Sequence, residues 1–410
     1  MSRLAPFRAL RPTPELAARV SSVPYDVVST EEARVLAEGE PLSFLRVTRP
    51  ELELSDAADP HSEEVYLRGR ANLDRLERER ALVADPDATL YVYRLRMGDR
   101  EQTGVAGCFS LDEYEHGRIK KHERTRREKE DDRTRHMVTL RAQTGVVFLT
   151  FRAAAAIDSV VDRIAAAPPL YDFVAPDGVG HRLWRAAAGD SDALVAAFAP
   201  LDALYVADGH HRAASAWRAR EEIRAGRAPF PAAPGAGDPG TFLAVAFPDD
   251  QVRILPYHRV VSELGGRSAA AFADELERRF EKVAPTPQPA EMGTFSVYLD
   301  GGWRSFRLPA PDESSAIAAL DCERLQHAVL TPLLGIEDLR TDERIDFVGG
   351  IRGTSELERR VDSGRAAAAF ALFPVSIEDL FAVADAGEIM PPKSTWFEPK
   401  LRDGLLVHTI

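Results

Sequence analysis

Short apolar runs alternate with amphipathic stretches along most of the chain, a pattern that favours a mixed α/β fold. Runs rich in β-branched and aromatic residues predict strands at 89–94, 104–110, 146–152, 203–207 and 241–247. Stretches with apolar residues three and four positions apart predict helices at 30–38, 64–83, 126–143, 191–199, 212–225 and 268–281. The first of these helices begins with a capping-box pattern, because Ser29 is followed three residues later by Glu32. We therefore expect the α/β (α+β) fold class.

Two Pro/Gly-rich stretches interrupt this pattern. The first, 228–240, separates a predicted helix from a predicted strand, so we expect a surface loop there. The second, 284–292, is the better candidate for a domain boundary, and a chain of 410 residues is long enough for two domains. We therefore expect a main α/β domain over 1–284 and a C-terminal α/β region over 293–410.

The acidic composition of the chain narrows its possible partners. Its formal net charge of −13 argues against general binding of nucleic acid, whose phosphates attract basic surfaces. No apolar run approaches the roughly 20 residues of a membrane helix, and the start lacks the apolar core of a signal peptide. The two cysteines, Cys108 and Cys322, are too few for a disulfide framework or a zinc ribbon. We expect a cytoplasmic protein that binds neither nucleic acid nor membrane, and the sequence leaves its oligomeric state open.

The strand predicted at 203–207 leads directly into polar residues that suggest chemistry. Asp208 fits the N-cap of the following helix, and Gly209 would relieve the tight turn and let a ligand approach the backbone. His210, His211 and Arg212 then fall in the first turn of the helix, where backbone N–H groups and the helix dipole favour anions. Cationic side chains there oppose the dipole by roughly 0.3–1 kcal/mol each, a cost that a bound phosphate would offset.

Two other interpretations of this stretch stay open. The helix could simply be capped, with two histidines on the surface. The histidines could also bind a metal ion, but adjacent helical residues point about 100° apart, so His210 and His211 cannot easily share one ion.

The six residues "ADGHHR" at 207–212 resemble the signature of the ParB/sulfiredoxin-like superfamily, in which such a strand–turn–helix binds nucleotide phosphates. Free-serine kinases of that superfamily carry a DGHHR motif. The resemblance implies a ParB/sulfiredoxin-like nucleotide-binding core elaborated by additional helices and strands. Sulfiredoxin chemistry uses a cysteine where this chain has His210, so repair of sulfinic acid is not expected.

A second resemblance rests on motifs spread over nearly the whole chain. In order, they are "FRALRP" (7–12), "VPYDVVS" (23–29), "PLSFLRVTRPE" (41–51), "KHERT" (121–125), "ADGHHRAA" (207–214), "ILPYHRVV" (254–261) and "MPPKSTWFEPKLRDGL" (390–405). Together they resemble the bacterial and archaeal family known as domain of unknown function 1015. After the "HE.T" positions that family more often has Pro-Lys, where this chain reads "RREKEDDR" (126–133). Glu123, Asp132 and Arg133 match the family pattern, whereas Arg126, Arg127 and Lys129 depart from it.

Further candidate residues lie in two of these motifs. His122 and Glu123 come just before the helix predicted at 126–143 and could act as base, metal ligand or substrate contact. The alternative interpretation is that the basic segment around them is only a solvated helix face with salt bridges. Tyr25 and Asp26 occupy a Pro-initiated turn before the first helix, where ordinary turn chemistry is the alternative.

Two more motifs add cations. Arg46 lies in an apolar segment, 43–47, that predicts a strand, and an inward Arg there would need an anionic partner. Lys393, Ser394 and Thr395 follow two prolines in the tail loop 390–400, which suits a phosphate or carboxylate clamp that returns to the main site. A structural tail packed by its aromatic residues is the alternative.

These features together predict a small-molecule phosphotransferase: a nucleotide-dependent kinase of free serine or a similar hydroxyl metabolite, using ATP or ADP and Mg²⁺. Gly209, His210, His211 and Arg212 would hold the phosphates. Asp208, Glu123 and His211 are the candidate catalytic residues, with Asp208 also the candidate Mg²⁺ ligand. The candidate substrate contacts are Tyr25, Asp26, Arg46, His122, Lys393, Ser394 and Thr395. A phosphatase or nucleotide hydrolase acting on a small phosphorylated metabolite, and a non-catalytic nucleotide-sensing module, stay open as alternatives.

Overall fold

The computed structural model describes residues 4–55, 59–311 and 315–410. The strands are β1 (Leu4–Ala5), β2 (Leu10–Pro12), β3 (Leu82–Ala84), β4 (Tyr91–Met97), β5 (Arg100–Ser110), β6 (Ile119–Lys120), β7 (Ala142–Gln143), β8 (Val147–Phe151), β9 (Tyr171–Val174), β10 (Gly180–Arg185), β11 (Leu204–Asp208), β12 (Thr241–Pro248), β13 (Arg253–Leu255), β14 (Tyr257–Val261), β15 (Lys282–Val283), β16 (Thr294–Leu299), β17 (Gly302–Arg307), β18 (Ile345–Gly349), β19 (Ala368–Leu372), β20 (Trp396–Glu398) and β21 (His408–Thr409). The α-helices are α1 (Ala17–Val20), α2 (Thr30–Ala37), α3 (Leu45–Thr48), α4 (Glu63–Arg78), α5 (Leu111–Glu115), α6 (Arg127–Leu140), α7 (Ala155–Ala165), α8 (Ala188–Phe198), α9 (His210–Arg224), α10 (Ala269–Arg279), α11 (Asp321–Leu325), α12 (Thr331–Leu334), α13 (Gly353–Asp362) and α14 (Ile377–Asp385). The mixed α/β fold class is therefore confirmed.

The described chain forms two compact units. The first unit contains the described residues up to Val252 together with Pro399–Ile410, and the second unit is Arg253–Glu398. The Pro-rich stretch 284–292 lies inside the second unit, between β15 and β16, and the last residues of the chain belong to the first unit. The compact units thus have different bounds from the expected domains 1–284 and 293–410, which stay a prediction.

A nine-stranded mixed sheet forms the centre of the first unit. Its order is β6-β11-β8-β12-β5-β4-β10-β9, with β1 paired to β5. β11 runs parallel to β6 and β12 parallel to β8, whereas the other neighbours are antiparallel. The strands predicted at 89–94, 104–110, 146–152, 203–207 and 241–247 all lie in this sheet, as β4, β5, β8, β11 and β12. These strands are buried in the core, and a buried strand has a nearly continuous apolar sequence, which made them predictable.

The helices predicted from the sequence are also confirmed, with shifted ends. The helix expected at 64–83 is α4 and ends at Arg78, because Arg80 has a positive φ of 58° and the next residues form β3 on β2. The helix expected at 126–143 is α6 and ends at Leu140, followed by left-handed Arg141. The capping box of α2 is present: Ser29 Oγ accepts from the Glu32 N–H, and the Glu32 carboxylate accepts from the Ser29 N–H.

One local prediction is wrong. The apolar segment 43–47 is not a strand, because Leu45–Thr48 form the short helix α3. An apolar run this short fits a buried helical turn as well as a strand, and here tertiary packing selects the helix.

The second unit is built on a six-stranded antiparallel sheet of order β15-β17-β16-β19-β14-β18. Its strand β19 is the alanine-rich "AAFAL", which is fully buried between β16 and β14. Over residues 4–55, 59–311 and 315–410, none of the helices combines the length and the apolar character that crossing a membrane requires.

Candidate functional site

The turn between β11 and α9 places the predicted phosphate motif. β11 ends at Asp208 after an irregularity in its pairing with β8, and α9 begins at His210. Gly209 joins them with φ 92° and ψ 30°, and a Cβ there would come 3.4 Å from Val147 Cα. The backbone is left-handed at this point, a conformation that favours glycine. The turn therefore favours glycine, and a Cβ there would make ordinary van der Waals contact with β8.

Asp208 is not the N-cap that the sequence predicted. The N-cap is Gly209, which has no side chain to accept from the helix, and the first turn of α9 has no side-chain cap. The first four N–H groups of a helix have no acceptor within it. This end of a 15-residue helix therefore presents unsatisfied donors and the positive end of a dipole.

Asp208 instead pairs with a residue that sequence reasoning missed. Lys400 Nζ lies 3.2 Å from Asp208 Oδ2, and both side chains are largely buried. Burial alone would raise the pKa of Asp208, but the charges of Lys400 and Arg212 outweigh it and lower that pKa. Asp208 is therefore ionised at neutral pH. Lys400 lies in the motif at 390–405, but sequence reasoning assigned the cationic role in that motif to Lys393.

Arg212 brings two further predicted residues to the site. Its guanidinium donates to the Val146 carbonyl at 2.7 Å and pairs with the Asp26 carboxylate at 2.5 Å. It also lies 5.4 Å from the centre of the Tyr25 ring, with Arg133 over the same ring at 4.2 Å. Burial raises the pKa of Tyr25 to about 12. Arg212 is 3% exposed, and its Nε has no hydrogen-bond partner within the described part of the chain.

A second missed residue, Asp403, interacts electrostatically with Arg212. Its backbone exchanges two 3.0 Å hydrogen bonds with Ser22, and its side chain is buried. Burial raises the pKa of Asp403 to about 7, with the Arg212 charge opposing and the Asp26 charge reinforcing that shift. The sequence signal that could have identified it is a single Asp near leucines in "KLRDGL". A carboxyl group in an apolar segment is costly to bury unless a partner compensates for the lost hydration.

His210 and His122 form a buried pair of rings. The ring centres are 4.4 Å apart in an edge-to-face arrangement, and His210 Nε2 accepts from the His122 backbone N–H at 3.4 Å. Nδ1 of His210 lies 3.7 Å from the Glu123 carboxylate, which is 42% exposed. Burial lowers the pKa of His210 well below its usual range and that of His122 to about 4. Both rings are therefore neutral at pH 7.

His211 points away from that pair. Its Nε2 accepts from the Arg126 backbone N–H at 3.0 Å, and burial lowers its pKa as well. The expected positive charge of His210 and His211 is therefore absent at neutral pH, and Arg212 and Lys400 carry the charge instead. Neutral rings also avoid the unfavourable interaction of cations with the helix dipole. His210 is not a surface histidine, which removes the simplest alternative for it.

Arg46 forms hydrogen bonds and an ion pair with residues of the N-terminal helices. Its guanidinium donates to the Ala37 carbonyl at 2.8 Å and the Glu40 carbonyl at 3.2 Å, and it pairs with Glu53 at 3.0 Å. The anionic partner that the sequence required is thus Glu53. This use of the guanidinium favours a structural role, and substrate binding by Arg46 stays a prediction.

Lys393, Ser394 and Thr395 belong to the second unit. Lys393 has a positive φ of 59°, and its Nζ lies 5.6 Å from the centre of the Tyr257 ring. Ser394 Oγ donates to the Pro391 carbonyl at 2.8 Å and lies 3.3 Å from Cys322 Sγ. These contacts hold the loop within its own unit, and the predicted clamp on a substrate stays a prediction.

A cavity of about 340 Å³ lies elsewhere in the first unit. Its polar lining residues include Arg94, Glu101, Asp158 and Gln251, and none of the predicted site residues lines it. The chemistry-bearing residues gather instead around the start of α9, so we base the functional argument on that cluster.

Comparison with known proteins adds a family and several weak structural likenesses. The family model described as "Protein of unknown function (DUF1015)" matches residues 4–323. No curated protein matches the chain.

Three solved structures are similar over most of their length. A free serine kinase in complex with AMP has a TM-score of 0.36 and 13% identity, covering 74% of this chain and 91% of its own. SbnI with a C-terminal truncation, from Staphylococcus aureus, has a TM-score of 0.38 and 12% identity, covering 74% and 87%. A conserved hypothetical protein from Pyrococcus furiosus has a TM-score of 0.34 and 13% identity, covering 75% and 95%. Scores this low do not establish a common fold or activity, so the ParB/sulfiredoxin-like core stays a prediction.

Proposed function

Because this chain belongs to the DUF1015 family, whose description assigns no activity, we propose its function from the geometry at the start of α9. The proposal is a small-molecule phosphotransferase, a kinase that uses ATP or ADP and acts on free serine or a similar hydroxyl metabolite. The observation that carries it is the uncapped start of α9, which lies beside the buried Arg212 and the partly buried Lys400. Phosphoryl transfer needs mainly positioning and neutralisation of charge, which these groups supply.

The backbone N–H groups at the start of α9 would bind phosphate oxygens. Arg212 is anchored by Asp26 and the Val146 carbonyl, which leaves its Nε–H as a donor for one of these oxygens. Lys400 would neutralise further charge by turning from Asp208 to the phosphate. Donors held in place before the ligand arrives need little reorganisation during the reaction.

Glu123 is the residue best suited to accept the proton of the substrate hydroxyl. Its carboxylate is partly exposed and is oriented beside the neutral, buried His210. Asp208 is less suited, because its lowered pKa makes it a weak base. His211 is neutral and half-buried, and its Nε2 already accepts from the Arg126 backbone N–H, so its protonated Nδ1 would donate a hydrogen bond to the substrate.

Asp208 is better suited to a cation than to a proton. The described residues contain no cluster of three or more His, Cys, Asp or Glu side chains arranged for a metal ion. Mg²⁺ on a nucleotide is commonly held by one or two carboxylates and by phosphate oxygens, so a single ionised Asp208 fits this role. The ion would supply neutralisation of phosphate charge.

The experiment compares two equally buried arginines on the same helix. Arg212→Gln should weaken ATP and ADP binding by roughly 10- to 100-fold, the effect of losing hydrogen bonds to a charged group. Arg220, 2% exposed and paired with Asp112, Glu115 and Glu221, provides the control. Arg220→Gln should leave nucleotide affinity unchanged in a folded protein. Calorimetry measures both affinities.

Turnover is measured as phosphate transfer to a panel of small alcohols that includes free serine. Glu123→Gln should lower kcat by about 10²- to 10⁴-fold while nucleotide affinity is retained. Nucleotide hydrolysis without any acceptor would replace the kinase by a hydrolase, and binding without turnover would replace it by a sensing module. If no alcohol is phosphorylated and Arg212→Gln binds nucleotide like the wild type, the proposed site is wrong.

A further inference from the structure

Five exposed cations lie in the segment 121–129, which contacts the start of α9. We call them the basic rim: Lys121, Arg124, Arg126, Arg127 and Lys129. The segment that carries them lies directly on the first turn of the helix, because the His122 backbone N–H donates to His210 and that of Arg126 donates to His211. Lys121 acts electrostatically on His210, and Arg126 and Lys129 act on His211. The rim therefore borders the proposed phosphate site.

The rim cations lack the carboxylate partners that the sequence offers them. Arg126 and Glu130, and likewise Arg127 and Asp131, have the four-residue spacing that favours ion pairs on a helix. Both carboxylates turn instead to Arg218 of α9, with Glu130 at 3.2 Å and Asp131 closer. Across residues 4–55, 59–311 and 315–410, no carboxylate lies within 4.0 Å of a rim cation.

Because of this pairing with Arg218, positive charge exceeds negative charge in the segment next to the start of α9. The five rim cations outnumber the two acidic residues among them, Glu123 and Glu128, in a protein whose net charge is −13. A single phosphate at the start of α9 would use the backbone donors and Arg212 Nε, and would leave the rim without a counter-charge. A ligand with several adjacent negative charges would use both.

We propose that the ligand of this site carries a chain of at least two phosphates. The first phosphate binds the start of α9, and the terminal phosphates bind the basic rim. This inference rests on the proposed phosphate site and deepens it by assigning the terminal phosphates of ATP or ADP to the basic rim. Inorganic polyphosphate would bind the same groups, whereas a monophosphate would bind only the start of α9. The acidic net charge of the whole chain disfavours nucleic acid as the polyanion.

The test measures binding of AMP, ADP, ATP and inorganic tripolyphosphate to the full chain by calorimetry. ATP should bind about tenfold or more tightly than AMP, since several exposed ion pairs of 0.2–1 kcal/mol add to that ratio. The triple variant Arg126→Gln/Arg127→Gln/Lys129→Gln should lose this preference while AMP affinity is retained. It should also lose tripolyphosphate binding.

A matched control removes three exposed cations from the second unit. Arg278, Arg279 and Lys282 are paired with Glu275 and Glu277, so the variant Arg278→Gln/Arg279→Gln/Lys282→Gln changes the net charge equally. It should keep the preference of the wild type for ATP. An equal loss in both triple variants would overturn the inference, because net charge alone would then explain it.

The outcomes separate this inference from the proposed function. Loss of tripolyphosphate binding in the rim variant, without phosphate transfer by the wild type, supports the rim and contradicts the kinase. Phosphate transfer, together with an unchanged preference for ATP in the rim variant, supports the kinase and overturns the rim. Tighter binding of a single-stranded oligonucleotide than of tripolyphosphate also overturns it, in favour of nucleic acid.

Discussion

At the scale of single residues, the two adjacent histidines have different surroundings. Consecutive side chains on a helix diverge by about 100°, so His210 packs on His122 while His211 accepts from the Arg126 backbone. Burial keeps both neutral. A histidine pair in a motif therefore does not by itself supply positive charge, and the cations that matter here are Arg212 and Lys400.

The carboxyl group of Asp403 gives a prediction about pH. Its pKa rises from an ordinary 3.8 to about 7 in the folded protein, so the folded state binds this proton more tightly than the unfolded state. The associated stability is present below pH 3.8 and is lost as the pH rises to about 7. Between pH 5 and pH 8, the wild type should lose about 2–3 kcal/mol of unfolding free energy relative to Asp403→Asn.

Chemical denaturation at several pH values measures this difference. Asp172→Asn is the control, because the Asp172 carboxylate is 52% exposed and pairs with Arg182 on the surface. That variant should keep the pH dependence of the wild type. Parallel pH profiles for the wild type and Asp403→Asn would show that the carboxyl of Asp403 ionises in the same range in both states.

At the scale of elements, the strand–turn–helix of β11, Gly209 and α9 organises the site. The strand fixes Asp208 beside Lys400, and the helix fixes Arg212 beside Asp26. Gly209 connects them in a left-handed conformation where a Cβ would meet Val147 and Arg212, each at 3.4 Å. Both halves of the site therefore depend on this one backbone position.

Alanine substitution at each end of α9 tests that dependence. Gly226 ends the same helix with φ 71°, and a Cβ there would meet no atom within 4 Å. Gly226→Ala should cost about 1–2 kcal/mol, the strain of a left-handed residue with a side chain, and should leave phosphate binding intact. Gly209→Ala should cost more and weaken phosphate binding. Thermal unfolding and calorimetry with tripolyphosphate measure the two effects, and equal losses of stability and binding would contradict the prediction.

At the scale of the whole molecule, the last twelve residues complete the first unit. Val407 exchanges backbone hydrogen bonds with Leu10, and β21 pairs with β7. Lys400 pairs with Asp208, and Asp403 interacts electrostatically with Arg212. Leu405, Leu406 and Val407 are buried. The far end of the sequence therefore supplies both core and site.

Removing part of one buried side chain tests this role. Leu406 is 2% exposed, so Leu406→Ala should cost about 2–5 kcal/mol of unfolding free energy. Leu36 is 50% exposed on α2, so Leu36→Ala should stay within about 0.5 kcal/mol of the wild type. Hydrogen exchange measured peptide by peptide should show lost protection in β7 and β8 for Leu406→Ala only. Unchanged protection there would mean that the C-terminal segment only lies on the surface.

Much of the first unit could be predicted from local patterns. Its five central strands and the capping box of α2 depend on residues close together in sequence, and the apolar runs of β8 and β12 have no alternative but burial. The strand prediction at 43–47 is wrong because three apolar residues do not distinguish a strand from a helical turn. The alanine-rich β19 was equally ambiguous, and its pairing with β14 and β16 decided it.

For the candidate site, the sequence identified the motif but not its partners. It indicated the turn at Gly209 and the residues Tyr25, Asp26, Glu123 and Arg212, because glycine, charge and apolar context are local signals. It placed Arg46 in the site, whereas the structure pairs that residue with Glu53. It missed Lys400 and Asp403, whose importance comes only from residues almost two hundred or more positions away.

The sequence by itself determined the alternation of strands and helices, the strand–turn–helix at 203–225 and the residue types that suit phosphate. Only the tertiary structure decided which charges are neutralised. Burial makes His122 and His210 neutral, Arg218 takes Glu130 and Asp131 from the basic rim, and Lys400 reaches Asp208. The physical reason is that hydrophobic periodicity is a property of neighbours in the chain. Protonation and ion pairing depend on burial and on distances between residues that are far apart in the chain, and local sequence patterns do not show either.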